Sequence, residues 1–179
     1  MNTIDKLDIG GVFYFKHYRN GKLIDSGNDH NVFIKEGLVY ALNAGFGVPV
    51  GGAPSPINSF YVGLATANRA WSGDETGATI HATSLEAEGY SQSARPEWTP
   101  QALADTSNIE LSDAGAEVAY DITVGTTVYG AFMIDKSAKD GTSDTGSVLV
   151  AGANFTAPRL LEINDVFKVG YTLSAQSGT

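Results

Sequence analysis

The string Leu23-Ile24-Asp25-Ser26-Gly27 carries the residue types of acid–base chemistry. Two apolar residues ahead of Asp-Ser-Gly resemble the active-site turn of retroviral-type aspartic proteases. There, one aspartate from each of two subunits shares a proton, because paired carboxylates do not both ionise cheaply. The same residues are also ideal for a hairpin strand running into a turn, and the match is short. Among His17, His30 and His81 no two stand two or four residues apart, so no local zinc pair is encoded. His17, on an aromatic strand, reads as a half-buried sheet residue or a polar interface group. Asp135, Asp140 and Asp144 share a loop with the oxygen-rich character calcium prefers. The alternating acids and closing glutamate of an EF-hand are missing, so a solvated turn loop is expected. Asn154-Phe155-Thr156 fits a glycosylation sequon, which matters only in a secretory pathway. No phosphate loop, GxSxG elbow or dinucleotide fingerprint is present. No catalytic residue, resident metal or cofactor is expected.

Contact surfaces are the better-marked feature. Trp71, Tyr90 and Trp98 fall in irregular stretches, the last two near Pro96 and Pro100, and Tyr and Trp contribute most at interfaces. The interface candidates are Trp71, Tyr90, Arg95, Trp98, Pro49 and Pro54. Alternatively, the aromatics cap the open ends of a sandwich, or Trp71 or Trp98 stacks on a carbohydrate.

The elements that position these residues are mostly strands. Asn58–Thr66 alternates Phe60, Val62 and Leu64 with Tyr61, Gly63 and Ala65, the pattern of a central strand with Gly63 allowing close backbone approach. Val12–Arg19 and Lys22–Asp25 flank Asn20-Gly21, a type I′ hairpin turn. Asn31–Lys35, Ala116–Val124, Thr127–Asp135, Ser147–Phe155 and Asp165–Ser174 read as further strands. Glu36–Phe46 is the one expected helix, and Thr79–Leu85 and Glu88–Ala94 are expected short edge strands. Eight to ten strands at this spacing make an all-β, sandwich or jelly-roll-like domain with one short helix and long loops. Residues 1–10 are expected to be an N-terminal arm, 11–174 a single domain and 175–179 a tail. The N-terminal arm and the loops Gly47–Pro56 and Ala67–Thr106 are expected to carry function.

Composition sets limits. The 179 residues suffice for one domain with a real core. A net charge of −9 with 11 Lys and Arg argues against a broad nucleic-acid surface. With no cysteine, neither a disulfide framework nor a thiolate metal site is available. No apolar run has the length of a membrane span, and MNTIDKLDIGG lacks the apolar run of a signal peptide. Neither nucleic acid nor membrane is therefore an expected partner.

The order of the segments NVFIKEGL (31–38), FYVGL (60–64), YSQSARPEW (90–98), YGAFM (129–133) and NFTAPR (154–159), closed by the Asp165–Ser174 strand, resembles a family of capsid decoration, or cement, proteins of tailed bacteriophages. The likeness spans roughly Asn31 to Ser174. It implies a non-enzymatic virion protein made in the host cytoplasm that sits on the capsid exterior. Such a protein associates with itself as a dimer or trimer and bridges major capsid protein subunits against internal DNA pressure. A tail, neck or receptor-binding component is the alternative virion role, and an enzyme using Asp25 is the alternative outside it.

Overall fold

The computed structural model describes residues 6–45, 59–82, 86–101, 110–113, 115–139 and 146–178. Alternating apolar residues build two antiparallel sheets. The first joins β1 (Lys6–Arg19), β2 (Lys22–His30) and β10 (Val166–Gly178) in the order β2-β1-β10, with β6 (Glu110–Ser112) and β7 (Val118–Asp121) both pairing β10. The second runs β3-β9-β8-β4-β5, with β3 Val32–Phe33, β4 Phe60–Ala65, β5 Glu97–Trp98, β8 Thr126–Ile134 and β9 Leu149–Leu161. Asn20 (φ 51°) and Gly21 (φ 72°) make the expected type I′ turn between β1 and β2.

Between the sheets lies the main core. Phe13, Phe15, Phe167, Val169 and Tyr171 of the first sheet meet Val62, Leu64, Ala131, Met133 and Phe155 of the second. The other face of the second sheet is also covered. Phe132, Ile134 and Leu149 pack with Ile34 and with Ile80 of the short helix α2 (Gly77–Ala82), and Trp71 lies against them. The helix α1 (Lys35–Gly45) matches the expected one and docks Gly37 on Val150, where a Cβ would come within 2.7 Å of the Val150 Cα.

Four expectations are corrected. Residues 79–82 are helical, not an edge strand. The Glu36 carboxylate accepts from the Gly77 N–H (3.1 Å) at the helix start, and Ile80 is drawn into the apolar cluster, which together override the β-branched residues. The described residues therefore hold two short helices. Between Glu88 and Ala94 only an isolated bridge forms, Tyr90 with Ile122. Finally, Lys6–Gly10 pairs with Ser174–Gly178 inside the sheet, so these residues are strand and not arm or tail. Backbone pairing needs no apolar signal in the side chains, which is why the polar ends concealed it.

β4 is not the centre of its sheet but lies between β8 and the two-residue β5. It is nonetheless buried on both faces: Val62 and Leu64 face the main core, and the Phe132 ring lies over Gly63.

Candidate functional site

Asp25 and His17, which looked available, are paired within the chain. Asp25 lies in extended β2 opposite His17, not in a turn, and its Oδ2 is 2.6 Å from Arg159 Nε. Its charged neighbour is a guanidinium, not a second carboxylate. His17 is buried, with Nε2 2.8 Å from Asp165 Oδ2. Arg19 donates to the same carboxylate through Nε (2.9 Å) and Nη2 (2.8 Å), and the Glu162 N–H donates at 2.8 Å. The Arg19 guanidinium, followed by the Glu162 N–H and His17, holds the Asp165 carboxyl well below the usual carboxylate range. This cluster ties the β1 end to the β9–β10 turn, where Asn164 takes φ 72°.

A second buried carboxylate, Asp113, accepts from the Tyr14 hydroxyl and from the Tyr171 N–H (3.1 Å), beside the Lys16–Glu117 pair. Asp135 accepts from the Val148 N–H at 2.8 Å. Asp140 and Asp144 lie outside the described residues. Among those described, no three His, Cys, Asp or Glu side chains are grouped to hold a metal ion. His30 is exposed at the end of β2. The Asn154 amide of the sequon bonds to the backbone of Arg69, and its Oδ1 accepts from Trp71 Nε1 at 3.1 Å, so it serves as a clamp.

The interface candidates have mostly internal partners. Trp98 is 6% exposed; its Nε1 donates to the Tyr171 carbonyl (3.1 Å) and its ring meets Tyr171 edge-on. Tyr90, at 3% exposure, packs edge-on against Tyr120 under the Lys139 ammonium, which donates to the Glu88, Tyr90 and Gln92 carbonyls. Arg95 is buried in a two-bond pair with Glu86, both bonds 2.7 Å, and also donates to the Lys136 carbonyl. Trp71 is half-buried, its ring on Gly152 and Phe132. Pro49 and Pro54 lie outside the described residues. The described part of the 67–106 stretch is thus bound into the domain by its own aromatic and charged residues, because only folding brings Glu86, Lys136 and Tyr171 to them.

What the sequence patterns missed is where large aliphatic side chains remain in solvent. Leu23, Ile24, Val124, Leu160 and Ile163 are 50–62% exposed. All five sit at one end of the sandwich, on or beside the β1–β2, β7–β8 and β9–β10 turns. Arg19 bridges this end, reaching Glu162 Oε1 at 3.0 Å and Asp165. Asn164 N–H donates to the Ile122 carbonyl, joining the two inter-sheet turns. Away from it, Val39 and Leu42 stand exposed on α1. Alternation over the expected Ala116–Val124 strand puts Val124 on the face of Val118, Tyr120 and Ile122, but β7 ends at Asp121 and Val124 stands in the turn, exposed; Ile163, before Asn164-Asp165, falls in no expected strand.

No protein-family model matches the chain, and no curated protein matches it in sequence.

Proposed function

We propose that the protein is a non-enzymatic virion component, a decoration protein that binds the outside of a bacteriophage capsid and bridges major capsid subunits. The order of segments from Asn31 to Ser174 supports the virion assignment. The observation that carries the contact role is the set of half-exposed Leu, Ile and Val side chains on a domain whose buried charges are committed to internal pairs. Such side chains give nothing to catalysis, but their burial at a contact is favourable by about 25 cal/mol per Å². Spread over many copies, weak single contacts add up to a large effect on the shell.

The test is reconstitution. Purified protein is mixed with capsids of the encoding phage assembled without it, and bound copies and capsid heat stability are measured. Saturable binding at many copies per shell, with a raised disruption temperature, is expected. No saturable binding, or a handful of copies per particle, overturns the reading.

A further inference from the structure

Asn20-Gly21 is the only Asn-Gly pair in the chain, and it forms the tip of the β1–β2 hairpin. Both residues and the three that follow, Lys22, Leu23 and Ile24, are exposed. A two-residue turn closes through the backbone groups of Arg19 and Lys22, and the Gly21 N–H has no acceptor among the described residues. Only two pairs, Tyr18–Leu23 and Arg19–Lys22, hold the tip, because the ladder slips beyond His17–Asp25 and leaves Ile24 as an extra residue. So short a paired segment at the end of a ladder opens at little cost and without the core.

We infer that Asn20 is a site of spontaneous covalent modification, at which the turn converts itself to aspartate and isoaspartate with water as co-reactant. A base takes the Gly21 N–H proton, and the nitrogen attacks the Asn20 Cγ. The N–Cγ bond forms, the Cγ–Nδ2 bond breaks and ammonia leaves with a proton, which yields a five-membered cyclic imide. Water then opens the ring. Breaking the new N–Cγ bond leaves aspartate, and breaking the former peptide bond leaves isoaspartate. One water is consumed and one ammonia released, with no change in oxidation state. Glycine favours the attack because no Cβ shields its nitrogen and its backbone turns freely into the ring. The peptide must leave the type I′ geometry to close that ring, so the reaction proceeds when the tip opens.

Asn164 shows what withholds the same chemistry. It too is exposed and left-handed (φ 72°), but the next N–H, of Asp165, donates to the Glu162 carbonyl at 3.0 Å. That nitrogen also sits beside a Cβ and a carboxylate, which oppose attack and loss of a proton. At Asn154 the side-chain amide is itself held by Arg69 and Trp71. The consequence at Asn20 lies in the backbone. Isoaspartate routes the chain through Cβ and Cγ and adds one atom to a turn whose length sets the register. The two tip pairs separate, and Arg19 loses its fixed approach to Asp165. The hairpin therefore loosens with the age of the chain. No partner takes part, so the reaction stands apart from the capsid role.

Peptide mapping by mass spectrometry tests it, on the full chain aged in heavy-oxygen water at neutral and mildly alkaline pH. Asn20 is expected to convert ahead of Asn154 and Asn164, faster as pH rises, with one heavy oxygen in each product. Its rate in the folded chain is expected to lie within about tenfold of the rate in the urea-unfolded chain, an opening cost of about 1.4 kcal/mol or less. Asn164 is expected to react only after unfolding. The aged chain is expected to melt at a lower temperature than the fresh one. Asn20→Gly, which keeps a left-handed turn and has no side-chain amide, is expected to melt unchanged after the same ageing. An Asn20 that stays intact in the folded chain while the unfolded chain converts overturns the inference. Conversion of Asn154 or Asn164 at the same rate in the folded chain, or an equal loss of melting temperature in aged Asn20→Gly, overturns it as well.

Discussion

Tyr90 and Tyr120 are adjacent in the core, with rings edge-on at 5.0 Å, yet their hydroxyls differ. Tyr120 donates to the Val62 carbonyl at 2.7 Å, whereas the buried Tyr90 hydroxyl has no partner among the described residues. Removing a satisfied buried hydroxyl strands the carbonyl it served, and removing an unsatisfied one relieves a desolvation cost. Tyr120→Phe should therefore cost about 1–2 kcal/mol in urea unfolding, while Tyr90→Phe should be neutral or stabilising by up to about 1 kcal/mol. The Asp165 carboxylate is the other residue whose loss should be felt. Asp165→Asn should cost about 2–3 kcal/mol, less than a fully buried pair loses, because Arg19 keeps a third of its side chain in solvent. Its pH dependence has a definite sign. The unfolded chain protonates this carboxyl near pH ~4 while the folded state resists to lower pH, so its contribution is complete above that value and falls as pH drops. Wild type and Asp165→Asn should converge in stability as urea unfolding is repeated from about pH 7 to pH 3.

At the scale of elements, Gly63 in β4 governs how the second sheet packs. A Cβ there would stand 2.1 Å from the Phe132 ring, itself held between β4 and Trp71. Gly63→Ala should destabilise by about 2–3 kcal/mol through overpacking. The Gly63→Ala/Phe132→Leu double variant should recover part of that loss, a non-additivity read from a double-mutant cycle. If the single variant is as stable as wild type, the close packing of the ring on this strand is not what holds the sheet. The helices depend on the sheet in turn. Glu36 near the start of α1 accepts from both the Gly77 N–H and the Leu149 N–H (2.9 Å), so one carboxylate couples α1, α2 and β9.

Across the whole molecule, the strands nearest the two chain ends are neighbours. β1 pairs with β10 from Lys6–Gly178 to Tyr18–Val166, and β10 carries Phe167, Val169 and Tyr171, all fully buried. The first sheet therefore cannot complete until most of the chain is in place. Refolding from urea, followed by Trp fluorescence, should lie in the millisecond-to-second range typical of non-local β topologies, on the order of 1–1000 s⁻¹. A microsecond phase carrying the full amplitude would contradict it. The same topology gathers the β1–β2, β7–β8 and β9–β10 turns at one end, which is where Leu23, Ile24, Val124, Leu160 and Ile163 stand half-exposed.

The amino-acid sequence alone determined what depends on near neighbours. Alternation placed the inward face of β4, Asn20-Gly21 placed the first turn, and Gly63 announced a close approach. These rest on period-two geometry and on left-handed φ values, both local properties. Tertiary structure decided what depends on distant partners. Trp98, Tyr90 and Arg95 have the composition of a binding surface, but Tyr171, Tyr120 and Glu86 take them inside. Thr79 and Ile80 suit a strand, yet a carboxylate 41 positions away from Gly77 and an apolar cluster on the far face of a sheet make the segment helical. Burial and pairing are relations between residues remote in the chain, and no local pattern holds both halves of such a relation.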